Sequence, residues 1–549
     1  MRCRSAIFAA SFALLWACSS DDDDDSRRRN TDGGISGSGG NAGSGGSGGS
    51  GNPDGSAGNS GSGGALDGGN ESDGGTLEAC LDLGAPDGGD AGDAGAADAG
   101  DGGSAFAVPK RVVVGSGVPL GVTSGGTLIF RDMARVQAVD LVAGGTPFEI
   151  ANAGGTTAVR GPVALHWSNI DYERGTATLT MWTGARCLRS VANSLSADDA
   201  VAVSPSGSHL LYANNITDTT FDVVLASRDF TTQQVVASRV GRASDTTCRA
   251  RYGFAGPNVV LATCASGSLE AKLKVWRLES GTWTEKTISD GSNGGWVADA
   301  TGQRIVYTDN RSNAYYWGGG DGPGTVVDDG VGWIRLNPTG NVLLYGAGSQ
   351  MRRTALPPDP DQLPLVIVSR NFRNIAAWSP NDQYALYSSA VTYEGGEKRD
   401  LLLARTAVEN RTLTRLVNTV TARLSRSAFT EDSRYALYLT DVNAQGAGTL
   451  TVRPLAGGTD VTHPHVDTVL AVRDSLVLFS ANRSETAVPV VAELKLLDAA
   501  GVAAPTTLQS SIVDGRNFYL TPDRSAVVYA RPPQTGNAAI EGIWVQPVE

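Results

Sequence analysis

Acid–base, nucleophilic or metal chemistry needs a few side chains held close together, and this chain supplies few of them. Its four histidines are His166, His209, His463 and His465. His463-Pro464-His465 sets two imidazoles near each other, but proline spreads them along an extended chain. Asp467 is the nearest third donor, so the trio lacks the spacing of a zinc site. His209 stands in His209-Leu210-Leu211-Tyr212 and reads as a packed strand residue. Gly45-Gly46-Ser47-Gly48-Gly49 has the form G-x-S-x-G, yet no strand precedes it and no helix follows, so it is no nucleophile elbow. Asp87, Asp90 and Asp93 lack the order and the distal Glu of a calcium loop. No metal and no cofactor is expected. Paired carboxylates of the glycosidase kind can come from distant parts of a chain, so a hydrolase or lyase stays open as the alternative to a binding protein.

Binding residues are easier to nominate. Tyr315-Tyr316-Trp317, followed by three glycines, is the densest aromatic run. It suits either stacking on a sugar or peptide at a rim, or a strand with one face in the core. Arg352 and Arg353 and the Pro-rich loop from Pro357 to Pro364 interrupt the surrounding pattern, and such interruptions tend to carry function. Cys248 and Cys264 lie symmetrically about Gly256-Pro257, a turn signal. In an antiparallel hairpin such residues can face each other at disulfide distance, so a Cys248–Cys264 bridge is expected, the alternative being two buried thiols.

The elements that position these residues begin after a long leader. Residues 1–17 carry Arg2 and Arg4, then an apolar stretch from Ala6 to Trp16. That stretch is too short to span a bilayer and fits a secretory signal. Leu15-Trp16-Ala17-Cys18 resembles a bacterial lipobox, which implies acylation of Cys18 and removal of residues 1–17. Ser19 and Ser20 after the cysteine favour the outer membrane, on its periplasmic side or at the cell surface. The lipid would be the only membrane attachment. Residues 18–105 form an acidic linker: 19–105 hold 28 of the 70 glycines and 17 Asp/Glu against 3 Arg. Repeats such as GSGGSGGSG bury nothing that offsets the entropy of ordering. A flexible chain of this length reaches roughly 50 Å.

From 106 to 549 the charges nearly cancel, with 40 acidic and 39 basic residues. Nucleic-acid binding is therefore not expected. Here runs of four to six β-branched, apolar and aromatic residues alternate with turns, so this part reads as all-β. One unit recurs. Val203-Ser204-Pro205-Ser206-Gly207 precedes Leu210-Leu211-Tyr212, and Asn337-Pro338-Thr339-Gly340 precedes Leu343-Leu344-Tyr345. Trp378-Ser379-Pro380-Asn381-Asp382 precedes Ala385-Leu386-Tyr387, and Thr521-Pro522-Asp523 precedes Ala526-Val527-Val528-Tyr529. Further copies end at Tyr307 and Tyr438, weaker ones at Leu261 and Phe479. The mean spacing is about 45 residues, the length of a four-stranded propeller blade.

These turns and strands resemble the PD40 repeats of TolB-like β-propellers, which read roughly W-S-P-D-G-x-x-I-A-F. Leu450–Thr459 and Val139–Thr146, each with a Gly-Gly turn, resemble the end of such a repeat. No Trp-Asp dipeptide marks a standard WD40 protein. The resemblance implies a propeller of about eight blades, with up to ten repeat units if degenerate copies at Gly126–Phe130 and Val163–Trp167 count. TolB's α/β domain has no counterpart, so its partners are not implied. The expected role is a non-catalytic, envelope-tethered scaffold that presents a propeller face to a protein, peptide or glycan.

Overall fold

A strand that is apolar at every position needs cover on both faces, because successive side chains point to opposite sides of a sheet. In His209–Asn214, Leu210 and Tyr212 pack toward one neighbouring sheet while Leu211 and Ala213 pack toward the other. Each sheet must then stand between two others, and that requirement repeats until the row closes on itself.

The computed structural model describes residues 81–82 and 108–548, apart from gaps at 134, 153, 172–175, 185–186, 196–200, 218, 242–249, 265–269, 280–281, 321, 338, 369–371, 394–395, 407–413, 418–423, 485, 502 and 534–539. The described residues contain eight antiparallel sheets. Two of these are double. Thr282–Ala298 pairs with Ala271–Glu279 through its first part and with Ile305–Asp309 through its last, handing over at Ser292. Val461–Arg473 does the same between Gly448–Pro454 and Leu476–Ser484, handing over at Val466. Counted by repeat, the eight sheets are ten units. Blade 1 is 118–152, blade 2 is 156–195, blade 3 is 201–241, blade 4 is 251–292 and blade 5 is 296–328. Blade 6 is 331–368, blade 7 is 372–417, blade 8 is 428–466, blade 9 is 466–513, and blade 10 is 519–547. Eight sheets and ten repeats thus describe the same object, and the two degenerate copies near Gly126 and Val163 are the second strands of blades 1 and 2.

Ten apolar clusters fill the ten interfaces between consecutive blades. The repeat aromatics have one job throughout. Tyr212, Tyr307, Tyr345, Tyr387, Tyr438 and Tyr529 each enter the cluster shared with the preceding blade. The ring closes through blade 10, whose outer strand is Lys110–Val114, paired with Gly542–Pro547. Val113 from the start of the domain and Ile543 from its end share a cluster with Leu128 and Phe130 of blade 1. The closed ring covers both faces of every blade and leaves only short inner and outer strands as edges. Leu81–Asp82 adds a fifth strand to blade 2 by pairing with Cys187–Leu195. This is a ten-bladed β-propeller.

Candidate functional site

Within each blade a turn leads from the first strand to the second. In six blades this turn follows one plan. The residue that opens it is Ser204, Asp299, Asn337, Ser379, Thr430 or Thr521. Its side-chain oxygen accepts the backbone N–H five residues later, at 2.9 to 3.2 Å. Its carbonyl accepts the N–H three residues later, which closes the turn. A short polar side chain at this position therefore does the work of a turn-capping residue.

The donor three residues later has a left-handed backbone. Glycine takes it without cost at Gly207, Gly302 and Gly340, with φ of 69°, 67° and 72°. In blades 7, 8 and 10 the same place is held by Asp382, Ser433 and Arg524, with φ of 61°, 56° and 57°. A side chain there costs about 1–2 kcal/mol, and each of these three contacts an earlier blade. Asp382 accepts from Asn337 Nδ2 at 2.9 Å and from Thr339 Oγ1 at 2.7 Å. Ser433 Oγ accepts the Asn381 N–H at 3.0 Å. Arg524 reaches further: its Nη1 forms an ion pair with Glu431 of the blade 8 turn and donates to the Val472 carbonyl at 3.3 Å.

That longer reach has a local cause. Blade 9 turns on Asp474 and Ser475 alone, between the paired residues Arg473 and Leu476. Its turn is too short to fill the space between those of blades 8 and 10. The space left is a cavity of about 530 Å³. Arg426 and Ser427, just before blade 8, and Glu431 in its turn line it, with Leu470 and Ala471 from blade 9 and Val122 from blade 1. Blade 10 contributes 519–522 and Arg524. A second cavity of about 250 Å³ lies between Ser124–Gly126 with Leu141 and Val142 on one side and Thr521–Asp523 on the other. Thr521 and Pro522 line both, so the last turn of the ring is flanked by open space on each side.

The larger cavity has a polar wall and an apolar floor. Arg426 donates through Nη1 to the Phe518 carbonyl at 2.7 Å and through Nη2 to the Arg516 carbonyl. Its guanidinium lies 5.0 Å from the centre of the Tyr519 ring. Burial pushes the Tyr519 hydroxyl above its ordinary range while the adjacent Arg426 charge pulls it back, so it stays protonated at neutral pH. Val122, Leu470, Ala471 and Leu520 supply the floor. Arg516, whose carbonyl Arg426 holds, belongs to a group of ion pairs beside the cavity lining. Asp467 is fully buried and accepts from Arg516 Nε at 3.0 Å, and Arg483 bonds Asp514 at 3.3 Å.

The residues singled out from the sequence lie elsewhere. Tyr315, Tyr316 and Trp317 form the third strand of blade 5. The Tyr315 ring stacks on Tyr307 at 5.3 Å, and its hydroxyl donates to Asp309 at 3.1 Å. Trp317 is buried, donates to the Gly320 carbonyl at 3.1 Å, and carries the Arg277 guanidinium 4.8 Å above its ring. Tyr316 packs beside Gly318 and is half-buried. Arg352 pairs with Asp328 at 2.8 Å, and the same carboxylate accepts from Tyr345 at 2.7 Å. Arg353, its neighbour in the strand, leans toward blade 7 with a buried Nε. The structure does not bring these five residues to the cavity. His463 stacks on Phe479 at 5.7 Å, burial and Lys495 lower its pKa, and His465 has a left-handed backbone within the strand Val461–Arg473. Among the described residues no group of three metal-ligating side chains forms. Cys264 is disulfide-bonded. Cys248 and Cys18 lie outside the described residues. Arg524 escaped the sequence reading, although an arginine where three other copies carry glycine was a visible signal.

No family model and no curated protein matches the chain. Its fold is similar to that of solved structures at low identity. The tricorn protease is 12% identical, with a TM-score of 0.26, over 80% of this chain and 61% of that one. A eukaryotic initiation factor is 10% identical, with a TM-score of 0.41, over 73% and 89%. The C-terminal WD40 domain of Sif2 is 9% identical, with a TM-score of 0.33, over 80% and 99%. The chain thus spans about three fifths of the tricorn protease. At these identities the likeness concerns architecture alone.

Proposed function

We propose that this protein is a non-catalytic binding scaffold of TolB-like type. In this reading it is lipidated at Cys18 and held at the outer membrane by the 18–105 linker, and it presents one propeller face to a protein, peptide or glycan. The observation that carries the binding role is the cavity beside the last turn of the ring. It is built from four blades, it has both charged and apolar walls, and one of its charges sits where the repeat favours glycine. Positions that break a local rule at a definite cost are expected where function demands them. The lipid anchor rests on Leu15-Trp16-Ala17-Cys18, and the outer-membrane address on Ser19 and Ser20. The disulfide of Cys264 is assigned to Cys248, its mirror image about Gly256-Pro257, which suits an oxidising compartment.

Cross-linking of the native protein in its own envelope, followed by identification of its neighbours, tests the role. A recurrent partner whose cross-links fall on 426–431 and 519–524 is the expected result. Cross-links scattered over all ten blades would contradict it. Radiolabelled palmitate should enter the wild-type chain and not Cys18→Ser.

A further inference from the structure

Resting on the proposal that the cavity is a binding site, we infer that it takes an apolar carboxylate: an organic anion with its charge at Arg524 and its apolar part on the floor formed by Val122, Leu470 and Leu520. Two arginines and one glutamate line the cavity, so its charge balance is positive. Arg426 is held by two backbone carbonyls and by the Tyr519 ring, which leaves it a wall rather than a hand. Arg524 differs. Both of its polar contacts, to Glu431 and to the Val472 carbonyl, are made by Nη1. Its Nε and Nη2 have no hydrogen-bond partner among the described residues. That edge of a guanidinium presents two parallel N–H groups and matches a carboxylate bidentately. The side chain is 46% exposed, so the edge is open to a ligand. Glu431 fixes the guanidinium from the other side and sets the angle of the open edge.

The comparison within the ring supports this assignment. Asp382 and Ser433 hold the same left-handed position and make their side-chain bonds to the neighbouring turn. Arg524, of the three, is the one that leaves a pair of charged donors unused. An interlocking role alone would be met by a short side chain, as it is in blades 7 and 8. The apolar floor makes a small inorganic anion a poor fit, because it would leave Val122, Leu470 and Leu520 uncovered.

The test uses the mature protein and three probes of one shape: 4-phenylbutyrate, 4-phenylbutanol and 4-phenylbutylamine, titrated calorimetrically at low salt. The carboxylate should bind at least about tenfold tighter than the alcohol, as charge-assisted bonds allow. The amine should bind weakest. Arg524→Gln should lower carboxylate affinity about tenfold or more and leave the alcohol unchanged. Arg524→Lys, which keeps the charge and loses the two-pronged geometry, should recover little. Circular dichroism and melting of both variants show whether the fold is intact. If the alcohol or amine binds as tightly as the carboxylate, or if Arg524→Gln leaves carboxylate affinity unchanged, the anion assignment falls while the cavity remains a binding site. If none of the three binds, the cavity and the anion assignment fall together.

Discussion

Blades 5 to 7 and the arc from blade 8 to blade 1 are built from the same repeat and end differently. In the first region the turns lock to one another. Arg304 donates to the Gly340 carbonyl at 2.9 Å, and Asn337 and Thr339 both reach Asp382. A Cβ on Gly340 would stand 2.3 Å from that of Asp299, so the turns of blades 5 and 6 touch as closely as backbone allows. In the second region blade 9 has a two-residue turn, which meets blade 8 through the Asp432 N–H and the Asp474 carbonyl at 3.1 Å, and Arg524 spans from blade 10 to Glu431. A repeat thus gains a site by shortening one turn and loading the next, without new secondary structure.

The comparison can be broken at several levels. The largest effect should come from the aromatics shared by both regions. Tyr345→Ala in the first and Tyr529→Ala in the second should each cost about 3–5 kcal/mol, as full truncation of a large buried ring does. Chemical denaturation reads this directly, and a cost that fell in one region alone would refute a common interface.

Next come the turn-opening residues. Asn337 is 3% exposed, caps its own turn and joins the next blade, whereas Thr521 caps its own turn alone. Asn337→Ala should cost about 2–3 kcal/mol and Thr521→Ala about 1 kcal/mol, from the number of buried bonds each leaves unmade. Equal costs would mean that contacts between turns add nothing.

Smaller still is the left-handed pair. Asp382→Gly should destabilise by about 1–2 kcal/mol because it removes the charge-assisted bonds by which Asn337 and Thr339 reach blade 7. Arg524→Gly loses a half-exposed ion pair and one long hydrogen bond to the Val472 carbonyl and relieves backbone strain, so its stability should move by less than about 1 kcal/mol. A large loss on Arg524→Gly would make this residue a structural clasp.

The last effect is pH. His166 is buried at 3% exposure in blade 2, and burial lowers its pKa below the ordinary 6.5. Below about pH 6.5 the unfolded chain gains a proton that the folded ring refuses, so stability should fall from pH 7 to pH 5. The fall should shrink in His166→Gln, with melting temperature as the readout. At the other extreme, Tyr529 is pushed up to about 12 by burial, so in the folded form it should ionise at higher pH than an exposed tyrosine.

The fold was legible because each copy states its own rule: a capped turn, an apolar strand buried on both faces, an aromatic facing back. The period of about 45 residues follows from Tyr212 to Tyr529. What was not legible is how adjoining blades share a strand. Ser292 and Val466 pair on both sides, and nothing in a local pattern announces a strand that serves two sheets. The site was hidden for a related reason. Its residues come from 122, 426–431, 470–471 and 519–524, and only the ring brings them together. Aromatic density pointed to Tyr315–Trp317, yet aromatics in this repeat serve interfaces first. Arg524 was visible as an exception to the turn glycine, a weaker signal than a run of rings.

Ring closure is the claim on which the interfaces and the cavity all depend. Val113 and Ile543 are directly opposed in the closing strand pair. With both changed to cysteine in the mature chain and mild oxidant added to the folded protein, non-reducing peptide mapping should recover a peptide that joins positions 113 and 543. Recovery of both positions as free, alkylatable thiols in folded protein would contradict the closed ring.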